Sequence, residues 1–316
     1  MKHGSLQPCF ERQGGVALLT VLLILTLMTS LVVYLIEDEY LAVRRISNHR
    51  DYEQIYQMMV GNEQWAAKVL ERDMKTNKTD HLNEVWNNLL PETKVNDGNM
   101  QAIVVDMQGR FNLNNLKKKN DAWYTVFQGL LRVLELDESL ADAVVDWIDE
   151  DQNVSGTRSA EDPEYLLKDP SYRSANRMLG SVGELIWVEG FDERSITLLA
   201  PHVSALPVGE MNININTATN PVLRALTKDI LSESAAEVLV AGRGETGYEN
   251  IDDFLVMTEL AGRSQEVAPL ISVSSLFFEV QGRARYGRLT GAIYSILEKD
   301  LTTQQVKVVQ RRRGYS

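Results

Sequence analysis

The residues best suited to chemistry form an acidic stretch near the middle of the chain. Asp149, Asp151 and Asn153 place oxygen donors at alternate positions after a predicted helix, and Glu161 and Asp162 follow across a loop. Hard oxygen donors with this alternation and a later carboxylate are how calcium-binding loops are built, although the glycine and glutamate positions of an EF-hand are not matched. The spacing leaves two interpretations open, a calcium site and a solvated acidic loop.

Two further observations bear on this stretch. Asp146 lies one helical turn before Asp149, so its carboxylate either joins the same site or faces solvent. Closing such a loop without a metal ion would bring several carboxylates together against their mutual repulsion.

Other catalytic chemistry finds little support. The sequence has no nucleophile elbow and no P-loop. None of the histidines pairs with another at metal-ligand spacing. The four are His3, His49, His81 and His202. The sequence therefore predicts a protein that is not an enzyme.

A second candidate function comes from the stretch that begins at Asn214 and ends near Leu255. It resembles the helix-hairpin-helix modules of DNA-uptake proteins, which hold phosphate with glycine-bearing hairpins whose backbone N–H groups face the anion. The hairpin here, residues 226–233, has no glycine, and Asp229 and Glu233 would repel phosphate. The net charge of −12 also argues against phosphate binding. A structural or protein-docking role is favoured, and a membrane-anchored DNA-uptake or DNA-binding protein is the alternative.

A long apolar segment near the N-terminus precedes all of these residues and is expected to anchor them to a membrane. Val16–Ile36 contains no charged residue, proline or glycine, and about 20 apolar residues span a bilayer core. No signal-peptidase site follows the segment, whereas Gly14-Gly15 precedes it, so a cut after Gly15 would leave the apolar helix on the mature chain. This layout resembles type IV prepilins and pseudopilins. The fifth residue counted from Val16 is Thr20, where that family usually has glutamate.

The remaining elements predict an α+β fold. The helix is expected to continue to about Arg72, and a short helical piece is expected at 81–90. A first strand is predicted at 100–106, and an antiparallel meander at 272–285, 289–298 and 305–311. Between them lie helical runs, each introduced by a Gly-x-apolar-Asn-apolar-Asn frame, at 109–114 and 209–214. We therefore expect a pilin-like long N-terminal helix packed on an antiparallel sheet, with a large inserted all-helical domain.

The middle of the chain carries the most specific resemblance. The segments concerned are Asp146–Asn153, Ala160–Tyr165, Tyr172–Asn176, Gly183–Leu185, Val188–Gly190, Ala205–Pro207 and Asn212–Ala218. They resemble the minor pseudopilin K family of bacterial type II secretion systems, and the likeness extends over the whole mature chain. That family lacks the glutamate at the fifth mature position, which agrees with Thr20.

The resemblance implies a function and a location. The protein would be a minor pseudopilin at the pseudopilus tip that helps to initiate pseudopilus assembly for export of folded proteins across the outer membrane. It would cross the Gram-negative inner membrane once, with its C-terminal domain in the periplasm. Its partners would be other minor pseudopilins, the major pseudopilin, prepilin peptidase and the inner membrane, with no nucleic acid.

The resemblance also implies specific sites. Prepilin peptidase would cut between Gly15 and Val16, the new amine would be methylated, and Thr20 would mark filament register, with its hydroxyl bonding the carbonyl four residues earlier. Because the family's helical domain binds calcium, a structural calcium ion is favoured over a solvated loop. Its ligands would be Asp149, Asp151, Asn153, Glu161 and Asp162.

Domain boundaries follow from these elements. The expected order is leader peptide, transmembrane helix, helix stem with the first part of the head, inserted helical domain with the acidic loop, second helical module, and C-terminal strands. The corresponding ranges are 1–15, 16–36, 37–110, 111–208, 209–268 and 269–316.

Overall fold

The computed structural model describes residues 14–117, 119, 121–154, 156 and 159–315. The leader prediction at 1–15 therefore lies outside the described residues except for its last two glycines, and the only cysteine, Cys9, lies outside them too. Two compact units are present, one ending at Gln54 and the other beginning at Ile55.

The chain begins with one long helix, which is followed by the first two strands of a main sheet. Helices and short parallel strand pairs come next, and the last three strands of the main sheet end the chain. The helices are α1 (Gly14–Thr76), α2 (Ala122–Val133), α3 (Leu140–Ile148), α4 (Asp162–Tyr165), α5 (Glu193–Leu199), α6 (Asn220–Ala225), α7 (Glu233–Ala241), α8 (Ile251–Leu255) and α9 (Ser264–Val267). The strands are β1 (Leu90–Val95), β2 (Gly98–Asp106), β3 (Phe111–Asn112), β4 (Val203–Ser204), β5 (Ile213–Asn214), β6 (Ile271–Ser272), β7 (Phe277–Tyr286), β8 (Leu289–Asp300) and β9 (Gln305–Tyr315).

The first unit consists of the N-terminal part of α1. Its apolar side chains are solvent-exposed along the whole predicted transmembrane segment, from 48% at Leu22 to 68% at Leu19. A soluble protein does not leave such a run uncovered. Within the described residues, α1 is the one helix long and apolar enough to cross a membrane. It is 63 residues long, and it ends at Thr76, close to the predicted end.

The second unit is built on a five-stranded antiparallel sheet in the order β1-β2-β7-β8-β9. The predicted strand at 100–106 is confirmed as β2, and the C-terminal meander as β7, β8 and β9. Strand β1 was not predicted, because Pro91, Glu92 and Lys94 break any apolar alternation; such residues are tolerated at a sheet edge. The helical piece predicted at 81–90 is wrong, because only a 3-10 turn, Val85–Asn87, forms there.

One face of this sheet packs against the second part of α1. Ile55, Met59, Ala66 and Leu70 follow helical spacing and are fully buried. Gly291 permits the close approach, since a Cβ there would lie 2.8 Å from Ile55 Cγ2 and 2.9 Å from Met59 Sδ. The α1 helix therefore serves as the hydrophobic cover of the sheet in this unit.

The remaining elements, β3 to β6 with their helices, leave the sheet between β2 and β7. These two strands are antiparallel neighbours, so the chain departs after Asp106 and returns at Phe277. The insertion has the largest hydrophobic core of the molecule, with Phe111, Phe127 and Tyr165 among its fully buried side chains. The predicted helical insertion is present, but the prediction that it is all-helical is wrong, because it also contains two short parallel pairs, β3 with β4 and β5 with β6.

The repeated asparagine frame has a structural register that differs from the one read in the sequence. Asn112 ends β3 and its Oδ1 accepts from Asn114 N at 3.2 Å, whereas Asn214 ends β5 and accepts from Asn216 N at 3.0 Å. Asn112 and Asn114 thus correspond to Asn214 and Asn216, two residues later than the aligned frame suggests. All four amides are buried and cross-link loops of the insertion.

Candidate functional site

The acidic stretch is positioned by the end of α3 and the start of α4. Helix α3 ends at Ile148, so Asp149 leaves it as the C-terminal cap in an extended conformation. Glu161 is the N-cap of α4 and forms a capping box with Glu164. Aromatic packing holds the two ends together, because the Trp147 and Tyr165 rings meet edge to face at 5.1 Å.

Two of the predicted ligands have oxygens that lack a hydrogen-bond partner. Asp149 Oδ1 and Glu161 Oε1 are both buried and unpaired within the described part of the chain. Burial, together with Asp151 and Asp146, raises the pKa of Asp149 to about 6. Burial, together with Asp146 and Asp149, raises the pKa of Glu161 to about 7. Buried, unpaired carboxylate oxygens next to further carboxylates fit a hard divalent cation.

The other predicted ligands are placed differently. Asp151 is exposed and its Oδ1 accepts from Asn153 N at 2.7 Å, which makes a tight turn. Asp162 turns toward the next segment, where its carboxylate accepts from Ser174 N at 3.2 Å and Arg173 Nη1 at 3.1 Å. The structure therefore brings Asp149 and Glu161 together with Asp146, while Asp162 is engaged elsewhere.

The hairpin of the second helical module is filled by the chain itself. Lys228 N, in the loop between α6 and α7, donates to Glu266 Oε1 at 2.5 Å. A carboxylate thus occupies the kind of backbone position that binds phosphate in helix-hairpin-helix proteins. Arg243 does not offer positive charge for a phosphate either, since its guanidinium points inward and donates to Ala218 O at 2.6 Å.

The predicted processing residues Gly15 and Val16 lie in the first turn of α1. Gly15 lies in the helix with no atom near its missing side chain, and Val16 is 62% exposed. Thr20 Oγ1 donates to Ala17 O at 2.9 Å. The predicted partner four residues earlier is wrong, because the rotamer reaches the carbonyl three residues back. The hydroxyl is nevertheless satisfied within the helix.

A buried charge cluster joins the end of α1 to β8, and no local sequence pattern predicts it. Lys299 Nζ contacts Asp80 and lies 3.3 Å from Asp73, and Glu84 lies beside them with its carboxylate bonded by Trp86 Nε1. Asp73, Asp80 and Glu84 lie close enough together to hold a cation, but the Lys299 ammonium already provides positive charge there. These acidic residues are thus part of the packing between helix and sheet.

The fold and these sites together define a class of protein. A helix with an exposed apolar first part, whose second part covers an antiparallel sheet, is the architecture of a membrane-anchored pilin-type subunit. The insertion between β2 and β7 enlarges its head with a helical region that bears the acidic loop.

Similarity to known proteins specifies the family. Family models described as type II secretion system protein K match residues 109–208 and 213–274. The chain is 34% identical to the type II secretion system protein K of Pseudomonas aeruginosa, over 96% of this chain and 93% of that protein. It is 32% identical to the Pectobacterium carotovorum protein of the same name, over 96% of this chain and 97% of that protein.

A solved structure agrees with the sequence relatives. A chain in the crystal structure of the GspK-GspI-GspJ complex from enterotoxigenic Escherichia coli superposes with a TM-score of 0.78 at 25% identity, covering 86% of this chain and 100% of that one. The chain belongs to the type II secretion system protein K family. It is accordingly a minor pseudopilin of the type II secretion system.

Proposed function

We propose that this subunit caps the pseudopilus and helps to start its assembly, without enzymatic activity. The observation that carries the proposal is Thr20. A carboxylate within the bilayer costs about 2.5–3.5 kcal/mol on insertion scales, and pilin-type subunits accept that cost because the carboxylate can pair with the N-terminal ammonium of the subunit above. A subunit with nothing above it has no such partner. The Thr20 hydroxyl is satisfied by Ala17 O and needs none.

The insertion supports the same position. It carries its own hydrophobic core and adds bulk to the head at the point where β2 passes to β7. Such bulk would clash with subunits stacked above, whereas a terminal subunit has open space there. The predicted domain boundaries at 37, 111, 209 and 269 are part of this proposal.

Processing and location follow from the same role. Prepilin peptidase would cut between Gly15 and Val16, and the freed and methylated amine of Val16 would receive the glutamate of the subunit below. The apolar part of α1 would cross the inner membrane, with the C-terminal domain in the periplasm. The partners would be counterparts of the GspI and GspJ subunits named in the neighbouring complex, and the major pseudopilin.

A structural calcium ion in the acidic loop is a second element of the proposal. Asp149 and Glu161 would supply the buried oxygens that lack partners, and Asp151 and Asn153 would close the loop. Asp162 could add an oxygen through lone pairs that Ser174 and Arg173 leave free. Bound calcium would neutralise the repulsion between these carboxylates and so fix the end of α3 against α4.

Crosslinking tests the tip position. The only cysteine lies in the leader, so the cleaved chain offers a cysteine-free background for single cysteines placed between Val16 and Ile36. Crosslinks to minor pseudopilins on one side only are expected. Crosslinks to the major pseudopilin on both sides of the helix would exclude a cap.

A substitution tests the role of Thr20 separately. Thr20→Glu should be tolerated or should mildly reduce secretion, because a cap offers the new carboxylate no ammonium above it, so the substitution adds the cost of an unpaired carboxylate and gains no pairing. Thr26→Glu, also within the apolar run, is the matched control for the general cost of a buried carboxylate. A strong gain of function in Thr20→Glu would show that a neighbour lies above. Micromolar DNA binding by the purified chain with a steep salt dependence would favour the DNA-uptake alternative instead.

A further inference from the structure

The face of the main sheet that points away from α1 is only partly covered. The insertion reaches one end of this face, where Gln310 Nε2 on β9 donates to Gly180 O at 2.8 Å. The rest of the face forms two adjoining grooves of about 260 Å³ and 310 Å³ across β1, β2, β7 and β8. Both grooves are lined by Gln101 and Arg283. Within the described chain, no element lies over them.

Arginines predominate on this open face, although the chain as a whole is acidic. One carboxylate also lines the second groove, that of Glu92, which accepts from Asn99 Nδ2 at 2.8 Å. Arg283 and Arg285 point to the same side of β7, and Arg288 follows in the turn to β8; all three are exposed. Among the residues that the structure describes, none of the three side chains has an ion pair or hydrogen bond. The chain as a whole carries −12, so a free cluster of guanidinium groups is not explained by a general need for solubility.

Other arginines of the same sheet give a useful contrast. Arg311 Nη2 on β9 lies 2.6 Å from Glu63 Oε1, and Arg312 Nη2 lies 3.2 Å from Glu279 Oε1. The fold therefore supplies carboxylate partners for Arg311 and Arg312, whereas the side chains of Arg283 and Arg285 on β7 have none among the described residues.

The floor of the grooves is amphipathic. Ile103 and Tyr294 are half-buried in the first groove, between the glutamine amides and Arg283. Arginine and tyrosine around a small apolar patch are the residue types that dominate protein interfaces. We propose that this surface, which we term the basic sheet face (Gln101, Ile103, Arg283, Arg285, Arg288 and Tyr294), docks an acidic segment of a neighbouring pilin-type subunit. The identity of that partner rests on the proposed function.

A nucleic acid fits this face less well than an acidic protein segment. Binding of duplex DNA depends on neutralising many phosphates along the backbone, whereas this face offers three free arginines over short grooves. The surplus of negative charge elsewhere on the chain would repel a long polyanion but would not prevent a local contact with one or two carboxylates.

Charge reversal tests the proposal on the full mature chain, purified in detergent. The variant is Arg283→Glu with Arg285→Glu, and the matched control is Lys78→Glu with Arg194→Glu, which changes net charge equally at exposed positions outside the face. The measurement is the dissociation constant for each purified minor pseudopilin at two salt concentrations. Both variants should have the same Tm as the wild type, since all four side chains are exposed.

We expect the Arg283/Arg285 variant to bind one minor pseudopilin with a dissociation constant at least tenfold higher than that of the wild type. The dissociation constant of the control variant should stay within about twofold of the wild-type value. The wild-type affinity should also fall with salt, and that of the variant should not. Equal affinities of variant and wild type would overturn the docking face and leave the proposed function standing. Failure of the wild type to bind any minor pseudopilin would overturn both. Binding of duplex DNA that disappears in the variant would replace the acidic protein segment as the ligand.

Discussion

Removal of the Asn114 side chain gives a direct test of how the insertion holds together. Asn114 is fully buried. Its Nδ2 donates to Leu206 O at 2.6 Å and to Leu179 O at 2.9 Å, and its Oδ1 accepts from Leu179 N at 2.8 Å. One amide therefore joins the turn after β3 to two separate loops of the insertion.

The size of the effect follows from the groups that would be left behind. Asn114→Ala strands one backbone N–H and two carbonyls in a buried site. An unsatisfied buried group costs about 1–3 kcal/mol, so we expect a loss of about 3–5 kcal/mol, allowing for some relaxation. For a unit of this size that corresponds to a decrease of roughly 10 °C in Tm.

Denaturant unfolding of the full chain in detergent, followed by tryptophan fluorescence, measures this loss. Asn99→Ala is the matched control, because Asn99 makes a single exposed hydrogen bond, to Glu92 at 2.8 Å, and should cost at most about 0.5 kcal/mol. Asn114→Asp keeps the shape and the acceptor, but an ionised carboxylate has no hydrogen to donate. Its loss of stability should therefore be nearly as large as that of Asn114→Ala. A loss below about 1 kcal/mol in Asn114→Ala would refute the idea that this amide links the loops.

Three further predictions concern charge, metal and processing. Burial raises the pKa of Glu84 from 4.5 to about 7, so the folded state holds its proton more tightly and wild-type stability should fall as pH rises from about 4.5 to 7. Glu84→Gln should remove up to about 2 kcal/mol of that loss; identical pH profiles in chelator would contradict it. Calcium at a hundredfold excess over its Kd should stabilise the wild type by about 2.7 kcal/mol and Glu161→Gln by much less, measured as Tm against chelator; equal shifts would leave only a solvated loop. N-terminal sequencing of the membrane form should begin at Val16, and a bulky residue replacing Gly15 should block the cut; a start near Glu37 would exclude this processing.

Much of the fold was predictable because its strands have one buried face. In β7, Phe278, Val280 and Ala284 are buried on the α1 side, and this alternation is visible in the sequence. Strand β1 lacks the pattern, since an edge strand with Pro91 gains its place by pairing with β2 rather than by burial. Periodicity cannot detect a strand of that kind.

The candidate site was predictable in its residue types and less so in its geometry. Oxygen donors around Asp149 could be read from spacing alone, but the engagement of Asp162 by Ser174 depends on how the chain returns after α4. The contact of Lys299 with Asp80 spans 219 residues of sequence, and no local pattern signals it. Long-range polar pairs of this kind are decided by tertiary packing.

The way in which the insertion joins the main sheet explains how one chain can form both the sheet and the insertion. Strands β2 and β7 pair over nine residues, from Gly98 with Tyr286 to Asp106 with Phe278, as the two arms of a hairpin do. The two ends of the insertion are fixed where the arms part, because Met107 N donates to Phe277 O at 3.0 Å and Gln108 Oε1 accepts from Phe277 N at 3.2 Å.

The cost of closing a loop rises only with the logarithm of its length, and this loop has its own buried core to offset that cost. Changes in the acidic loop or the second helical module should therefore leave the register of the sheet intact. The basic sheet face, which depends on that register to align Arg283 and Arg285, can then be altered separately from the acidic loop. Substitutions in one should be additive with substitutions in the other when stability is measured, because the side-chain hydrogen bonds of Asp151, Asp162 and Glu161 go to Asn153, Arg173 and Ser174, none of which lines the grooves of the basic sheet face.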